Sequence, residues 1–192
     1  MRAQVPIRRA HYRCAGAGKT KRLHTVPHSG TIADMLVRRA AHGDEPTLRL
    51  VRLRALTDAP DAFGSTLDRE IARTDDDWSR WIEPNPTFLL EAPAVGAIGM
   101  VAGAMDEFDP TAALLLAMWV DPAFRRTGGA DLLVQAVVDW AREIHATKLS
   151  LCVIAGNDSA IRLYERCGFA RTGQQRIRER DACAELAMQR SL

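Results

Sequence analysis

An almost wholly apolar run, Ala112–Val120, ends abruptly at Asp121-Pro122 and is followed by an apolar stripe of helical spacing. Such a run, without polar alternation, predicts a strand that is covered on both faces. It is too short for a membrane span, which needs about 18 apolar residues. The stripe from Leu132 to Ile144 predicts an amphipathic helix packed on a sheet. Together these two segments predict an α/β fold.

The remaining segments extend this pattern to the whole domain. Apolar periodicity and turn residues predict the order β-α-α-β-β-β-α-β-α-β-β, a mixed sheet sandwiched by helices. We expect Asp44 to cap the first helix and one helix to cover Leu67–Ile82, closed by Pro84 and Pro86. We expect Asn157 or Asp158 to cap a short later helix. The predicted strands are Leu36–Ala40, Thr87–Glu91, Val95–Met105, Ala112–Val120, Lys148–Ile154, Phe169–Thr172 and Ala184–Gln189.

Composition excludes several classes of protein. The 192 residues are 47% hydrophobic and 26% charged, which is close to the globular average and excludes a disordered chain or a coiled coil. The cysteines form no CxxC pair and have no histidine at ligand spacing, so we expect free thiols, no metal and a reducing, cytoplasmic location. The four cysteines are Cys14, Cys152, Cys167 and Cys183.

The first 34 residues differ from the rest in charge. They hold seven Arg and Lys against a single acid, Asp34, whereas residues 35–192 are mildly acidic. Because this segment has little apolar periodicity, we expect residues 1–34 to be a disordered basic tail and residues 35–192 to be the folded domain. An organelle transit peptide and a natural start at Met35 are the alternatives. The acidic body argues against nucleic acid as the main partner.

The segment between the apolar strand and the long helix has the composition of an anion-binding turn. A helix N-terminus presents free backbone N–H groups and a partial positive charge, which suit a pyrophosphate. Gly128, Gly129 and Ala130 lack bulky side chains, so a phosphate can approach the backbone. Arg125 and Arg126 add positive charge. From this segment alone, a glycine-rich helix start without a ligand is an equal alternative.

A second segment, Asn157–Phe169, follows the next predicted strand. The first segment fits the pattern Arg/Gln-x-x-Gly-x-Gly/Ala at Arg125, Gly128 and Ala130. The second fits the pattern Asn-x-x-Ala-x-x-Leu-Tyr-x-x-x-Gly-Phe at Asn157, Ala160, Leu163, Tyr164, Gly168 and Phe169. The two patterns together resemble the GNAT N-acetyltransferase superfamily, from about Leu36 to the C-terminus. The stretch Leu53–Thr66 also looks like the amino-terminal region of many bacterial members.

The resemblance implies an acetyltransferase that uses acetyl-CoA as a cosubstrate. In that fold the strands at Ala112–Val120 and Lys148–Ile154 splay apart, and CoA lies in the gap. Backbone groups near Met118 and Val120 pair with the pantetheine amides. The acceptor amine enters from the other side and attacks the thioester directly. The residues expected to bind CoA are Met118, Val120, Arg125, Arg126, Thr127, Gly128, Gly129, Ala130 and Asn157.

Two candidate residues have alternative roles. The leaving thiolate needs a proton donor, and Tyr164 is a neutral phenol at pH 7 that can donate its O–H to sulfur. Its alternative role is that of a core aromatic. Asn157 can bond to CoA, or it can simply cap its helix.

The acceptor amine has to lose a proton, and here the sequence departs from family members that carry an acidic base on the central strand. Ala112–Val120 contains no carboxylate. Water, Glu70, Asp106 and Glu107 are candidate bases, and the base stays unassigned. The acceptor pocket is expected between the loop around Pro60, the Leu67–Ile82 helix and the 106–110 turn. Its candidate walls are Phe63, Trp78, Trp81 and Trp119, with core packing the alternative for the tryptophans.

The expected function is therefore acetyl transfer from acetyl-CoA to a primary amine of a small molecule or a protein. The alternative is a non-catalytic regulatory module that binds acyl-CoA. No membrane partner is expected. The sequence leaves the acceptor and the oligomeric state open, with a homodimer as one option.

Overall fold

The computed structural model describes residues 35–83 and 85–192. The expectations for residues 1–34, for Cys14 and for Pro84 lie outside the described residues. The strands are β1 Leu36–Arg39, β2 Thr87–Ala92, β3 Gly96–Met105, β4 Ala112–Val120, β5 Lys148–Ile154, β6 Ala170–Ile177 and β7 Ala184–Ser191. The α-helices are α1 Glu45–Asp58, α2 Leu67–Ile71, α3 Asp75–Ile82, α4 Gly129–Glu143 and α5 Asp158–Arg166.

The strands form one seven-stranded sheet with the order β1-β2-β3-β4-β5-β7-β6. Strands β4 and β5 run parallel, and the other neighbouring pairs run antiparallel. The parallel pair requires a crossover, and α4 supplies it. The predicted mixed sheet is thus confirmed.

Strands β4 and β5 separate after a short contact. They are paired at three positions, from Ala112 opposite Lys148 to Leu114 opposite Ser150. Strand β4 is also irregular on its other side, where its register against β3 shifts and where Ala117 has a left-handed φ of 53°. A bulge of this kind bends a strand and increases its twist. The two strands therefore splay in the middle of the sheet, as the family resemblance implies.

Helices cover both faces of the sheet. On one face, Leu133 and Val137 of α4 belong to a buried cluster that also contains Ile98 of β3 and residues of α5. On the other face, Leu48 of α1 and residues of α3 belong to a cluster with Met100 of β3. Each fully buried apolar side chain stabilises the fold by about 1.5–3 kcal/mol. The splayed pair lies between these two cores.

The single helix expected over Leu67–Ile82 is wrong, because α2 ends at Ile71 and α3 begins at Asp75. Thr74 Oγ1 accepts a hydrogen bond from the backbone N–H of Asp77 (3.2 Å), and the Asp77 carboxylate accepts one from the backbone N–H of Thr74 (3.0 Å). This reciprocal pair is a capping box, which starts a new helix. The three acids of the first turn of α3 complement its dipole.

The two predicted caps have different outcomes. Asp44 stands at the N-cap of α1 but makes no side-chain cap bond. Its carboxylate accepts hydrogen bonds from the Arg38 guanidinium at 2.6 and 2.7 Å, so it ties β1 to α1. Asn157 does cap α5, because its Oδ1 accepts a hydrogen bond from the backbone N–H of Ala160 at 3.2 Å. Among the described residues, no helix is both long and apolar enough to cross a bilayer.

Candidate active site

In the turn between β4 and α4, residues with left-handed and ordinary backbone conformations alternate. Arg126 (φ 65°) and Gly128 (φ 87°) have left-handed backbones. Gly128 occupies the N-cap of α4 and has no side chain that could cap the helix. Successive N–H groups in such a turn form a concave site for anions, which the dipole at the start of a helix reinforces. The positive φ of Gly128 favours glycine, because a Cβ is strained there. The backbone thus has the form that a phosphate-binding turn requires.

The two arginines of this turn have different surroundings. Arg125 donates from Nε to the backbone carbonyl of Val120 at 3.0 Å and is ion-paired with the Asp58 carboxylate. Asp58, at the end of α1, also accepts a hydrogen bond from Trp119 Nε1 at 2.9 Å. Arg125 therefore anchors the turn to α1 and β4. Arg126 is exposed and has no ion pair with any residue that the structure describes, so it is the more available cation.

Two other residues of the turn face the core. Thr127 Oγ1 donates to the backbone carbonyl of Phe124 at 2.6 Å. A Cβ on Gly129 would lie 2.5 Å from the Leu90 side chain, so this glycine permits α4 to pack closely on β2. Thr127 and Gly129 can offer an anion their backbone N–H groups only.

A groove of about 2280 Å³ opens where β4 and β5 diverge. Residues from Leu115 to Val120 of β4 and from Leu151 to Ile154 of β5 line it. The groove brings together most of the site residues expected from the sequence. These are Met118, Val120, Arg125, Arg126, Gly128, Ala130, Asn157 and Tyr164.

Tyr164 lies on α5 and is 6% exposed. Tyr164 lines the groove, and none of the described residues forms a hydrogen bond with its hydroxyl. Burial raises the pKa of the phenol above its usual value of 10.0, and nearby Cys167 adds a smaller effect in the same direction. The side chain therefore keeps its proton at neutral pH.

Part of the groove lining is aromatic. It contains Phe63, Trp81 and Trp119, three of the four candidate walls of the acceptor pocket. Trp78, also a candidate wall, is 1% exposed and stacks under Trp81 with 5.6 Å between the ring centroids. Trp78 thus supports the wall from the core, in agreement with the alternative of core packing.

The loop that carries Phe63 is held by the turn between β6 and β7. Arg178 donates to the backbone carbonyls of Phe63 (3.1 Å) and Asp61 (2.6 Å). Arg180 donates to the carbonyl of Ser65 at 2.9 Å. Asp181 accepts from both arginines, which holds the pKa of its carboxyl well below the usual range. The β6–β7 turn therefore holds the loop that carries Phe63 in place.

The three candidate bases are not equivalent. Asp106 and Glu107, in the turn between β3 and β4, line the groove. Glu70 is 1% exposed and lies buried between Arg52 and Arg73, away from the groove lining. Within the described part of the chain, no three His, Cys, Asp or Glu side chains cluster as metal ligands do.

Sequence reasoning missed Arg52, which lines the groove although it is only 4% exposed. The sequence nevertheless contained a feature that could have identified Arg52. Arg52 lies four residues after Leu48 and four before Leu56, in the middle of the buried stripe of α1. A single charge on an apolar helix face indicates a buried ionic contact.

Comparison with known proteins identifies the family. A sequence model described as the acetyltransferase (GNAT) family matches residues 53–169. Over 50 residues, 26% of this chain, the sequence is 44% identical to a Bacillus subtilis (strain 168) protein called uncharacterized N-acetyltransferase YdgE. That match spans 32% of the length of the Bacillus protein.

Solved structures share the fold at low sequence identity. The ribosomal-protein-alanine N-acetyltransferase of Brucella melitensis has a TM-score of 0.68 and 21% identity, covering 82% of this chain and 99% of its own. The Salmonella typhimurium protein yncA, with its cofactor acetyl-CoA, has a TM-score of 0.68 and 20% identity, covering 82% and 94%. Spermidine N-acetyltransferase of Vibrio cholerae, in complex with CoA and spermine, has a TM-score of 0.65 and 16% identity, covering 83% and 96%.

These structures agree with the overall fold of the chain. The family match covers more than half of the chain and includes both the glycine turn and Tyr164. The chain therefore belongs to the acetyltransferase (GNAT) family.

Proposed function

We propose that this protein transfers the acetyl group of acetyl-CoA to the nitrogen of a primary amine, carried by a small molecule or a protein. The observation that supports this most strongly is the placement of Tyr164. The phenol lines the same groove as the glycine turn, at the gap between β4 and β5. Structures of the same fold from Salmonella and Vibrio hold acetyl-CoA or CoA, which supports the proposed cosubstrate.

The turn before α4 binds the pyrophosphate in this proposal. The N–H groups from Arg126 to Ala130, at the positive end of the α4 dipole, are the proposed donors to the pyrophosphate, and the Arg126 side chain adds a charge. Arg125 holds the turn in place through Val120 and Asp58. Because β4 leaves β5 after Leu114, the backbone near Met118 and Val120 is available to pair with the pantetheine amides.

The chemical step requires an amine, a thioester and one proton donor. The lone pair of the amine attacks the thioester carbonyl carbon, which forms the C–N bond. The C–S bond then breaks, and the sulfur keeps its electron pair and takes the proton of the Tyr164 hydroxyl. The nitrogen loses one proton to a carboxylate or to water, and Tyr164 regains one from solvent, so the proton count balances. Asp106 and Glu107 are the candidate carboxylates of the groove lining.

The test is a screen of acetyl-CoA against a panel of amines, with thiol release and product mass both measured. We expect release of one thiol for each acetyl group gained by the product. CoA binding with no amine consumed would favour the non-catalytic acyl-CoA-binding module instead. An absence of both CoA binding and turnover would overturn both functions.

A further inference from the structure

A buried charge cluster lies beside Phe63 and Trp81, two aromatic residues of the groove lining. Nη2 of Arg52 lies 3.5 Å from Oε1 of Glu70, whose other carboxylate oxygen is paired with Nε of Arg73. The side chains of Arg52 and Glu70 are 5% and 1% exposed. Two guanidinium groups thus share one carboxylate, so the cluster has one positive charge in excess.

Arg52 also has unused hydrogen-bond donors. Its Nε and Nη1 are buried and have no hydrogen-bond partner among the described residues. The guanidinium lies over the ring of Phe63 at 4.7 Å and near the ring of Trp81 at 5.3 Å. Aromatic faces stabilise the charge, yet they do not replace an oxygen acceptor for the N–H groups. Burial without an acceptor is unfavourable unless a bound group supplies one.

Within the cluster, Arg52 belongs to the groove lining, whereas Glu70 and Arg73 do not. Arg52, Phe63 and Trp81 all line the groove, in the part expected to hold the acceptor. We propose that Arg52 binds a carboxylate of the acceptor, so that the substrate is an amine that also carries a carboxylate, as a free amino acid does. This assignment of substrate class rests on the proposed acetyl transfer.

A monoanion fits this position better than a phosphate. The single excess charge of the cluster matches one carboxylate, and guanidinium and carboxylate form strong charge-assisted hydrogen bonds. Asp106 and Glu107 line the same groove and are candidate partners for the ammonium group of the same substrate.

The first test needs the unaltered protein only. Acetylation rates are measured for matched pairs, each an amino acid and its carboxamide, which differ in charge and keep the amine. We expect kcat/KM to be roughly 10- to 100-fold higher for the carboxylates, the range for a hydrogen bond to a charged group. Turnover with no preference for the carboxylates overturns the Arg52 proposal and leaves acetyl transfer intact.

A substitution then assigns the preference to Arg52. Arg52→Met leaves Glu70 and Arg73 as a balanced pair, and we expect it to remove the carboxylate preference while the KM for acetyl-CoA stays constant. Arg49→Met is the matched control, because Arg49 lies on the same helix and outside the groove lining. A preference that survives in folded Arg52→Met overturns the proposal.

Calorimetry separates this proposal from the proposed function. Amino acids are titrated into the protein in the presence of CoA, so that binding is read without turnover. Binding that Arg52→Met abolishes, in a protein that acetylates no amine, would support the carboxylate site and overturn the proposed acetyl transfer. An absence of both binding and turnover would overturn the two together.

Discussion

The ring of Tyr164 packs edge-on against the ring of Phe169, with 5.8 Å between the centroids and 63° between the planes. Between them in the chain, Gly168 has a left-handed φ of 85° and turns the chain back after α5. The contact orients the phenol ring without using its hydroxyl. The packing role of Tyr164 and its proposed chemical role can therefore be separated by one substitution.

Tyr164→Phe keeps the ring and removes the O–H. We expect kcat to fall by about 10²- to 10⁴-fold, the usual contribution of a general acid. The free energy of unfolding should change by less than about 1.5 kcal/mol, because only one hydroxyl is lost. Product formation, urea denaturation and CoA titration give the three readouts. An unchanged kcat would remove Tyr164 from the chemical step.

The pH dependence of kcat tests the environment of the same phenol. Because burial raises the pKa of Tyr164, its proton is retained as the pH rises through the usual phenol value of 10.0. At saturating substrate, kcat should therefore not fall as the pH approaches that value. Product mass is the suitable readout, since thiol reagents themselves respond to pH. A descending limb at the ordinary phenol pKa that disappears in Tyr164→Phe would contradict a buried phenol.

Gly128→Glu tests the turn before α4. The substitution places a side chain at a left-handed φ of 87° and a negative charge where a pyrophosphate is proposed to bind. We expect the Kd for CoA to rise at least about 100-fold through like-charge repulsion. Gly173→Glu is the matched control, since Gly173 has a similar φ of 80° and a Cβ there would meet nothing within 4 Å. Equal CoA affinity in the two variants would refute the anion-binding turn.

Glu70→Gln tests the buried ion cluster. Without the carboxylate, the guanidinium groups of Arg52 and Arg73 lose their shared counterion in a buried setting. Removal of one partner from a buried pair costs about 3–5 kcal/mol, so we expect a loss of that size in urea denaturation. Asp68→Asn, an exposed change on the same helix, should cost less than about 0.5 kcal/mol. Equal stability of the two variants would show that the cluster is solvated.

Apolar periodicity and turn residues predicted the two central strands correctly, but they did not predict the break between α2 and α3. The bounds of β4 and β5 agree with the predicted strands Ala112–Val120 and Lys148–Ile154, because both segments are mainly apolar and both are followed directly by turn residues. The break between α2 and α3 was missed, since apolar spacing continues across it. The signal that marks the break is the pair Thr74 and Asp77, a threonine three residues before an acid.

Contacts between distant residues were beyond such reasoning. The motif predicts that Arg125 binds CoA, whereas in the structure Arg125 is ion-paired with Asp58, 67 residues earlier in the chain. The position of Arg52 opposite Phe63 and Trp81 likewise depends on how α1 and α3 pack together. Tertiary structure decides whether an arginine meets a ligand, a carboxylate or a ring, whereas the sequence gives only its position on a helix or turn.

The short pairing of β4 with β5 has a consequence for the lifetime of the protein. Beyond Leu114 and Ser150, the sheet has two inner edges whose amide and carbonyl groups no longer meet across the gap. A ligand that spans this gap binds the folded chain alone, so by mass action it shifts the equilibrium away from unfolded, protease-sensitive chains. The supply of acetyl thioester would then influence how long each copy survives, as well as how fast it turns over.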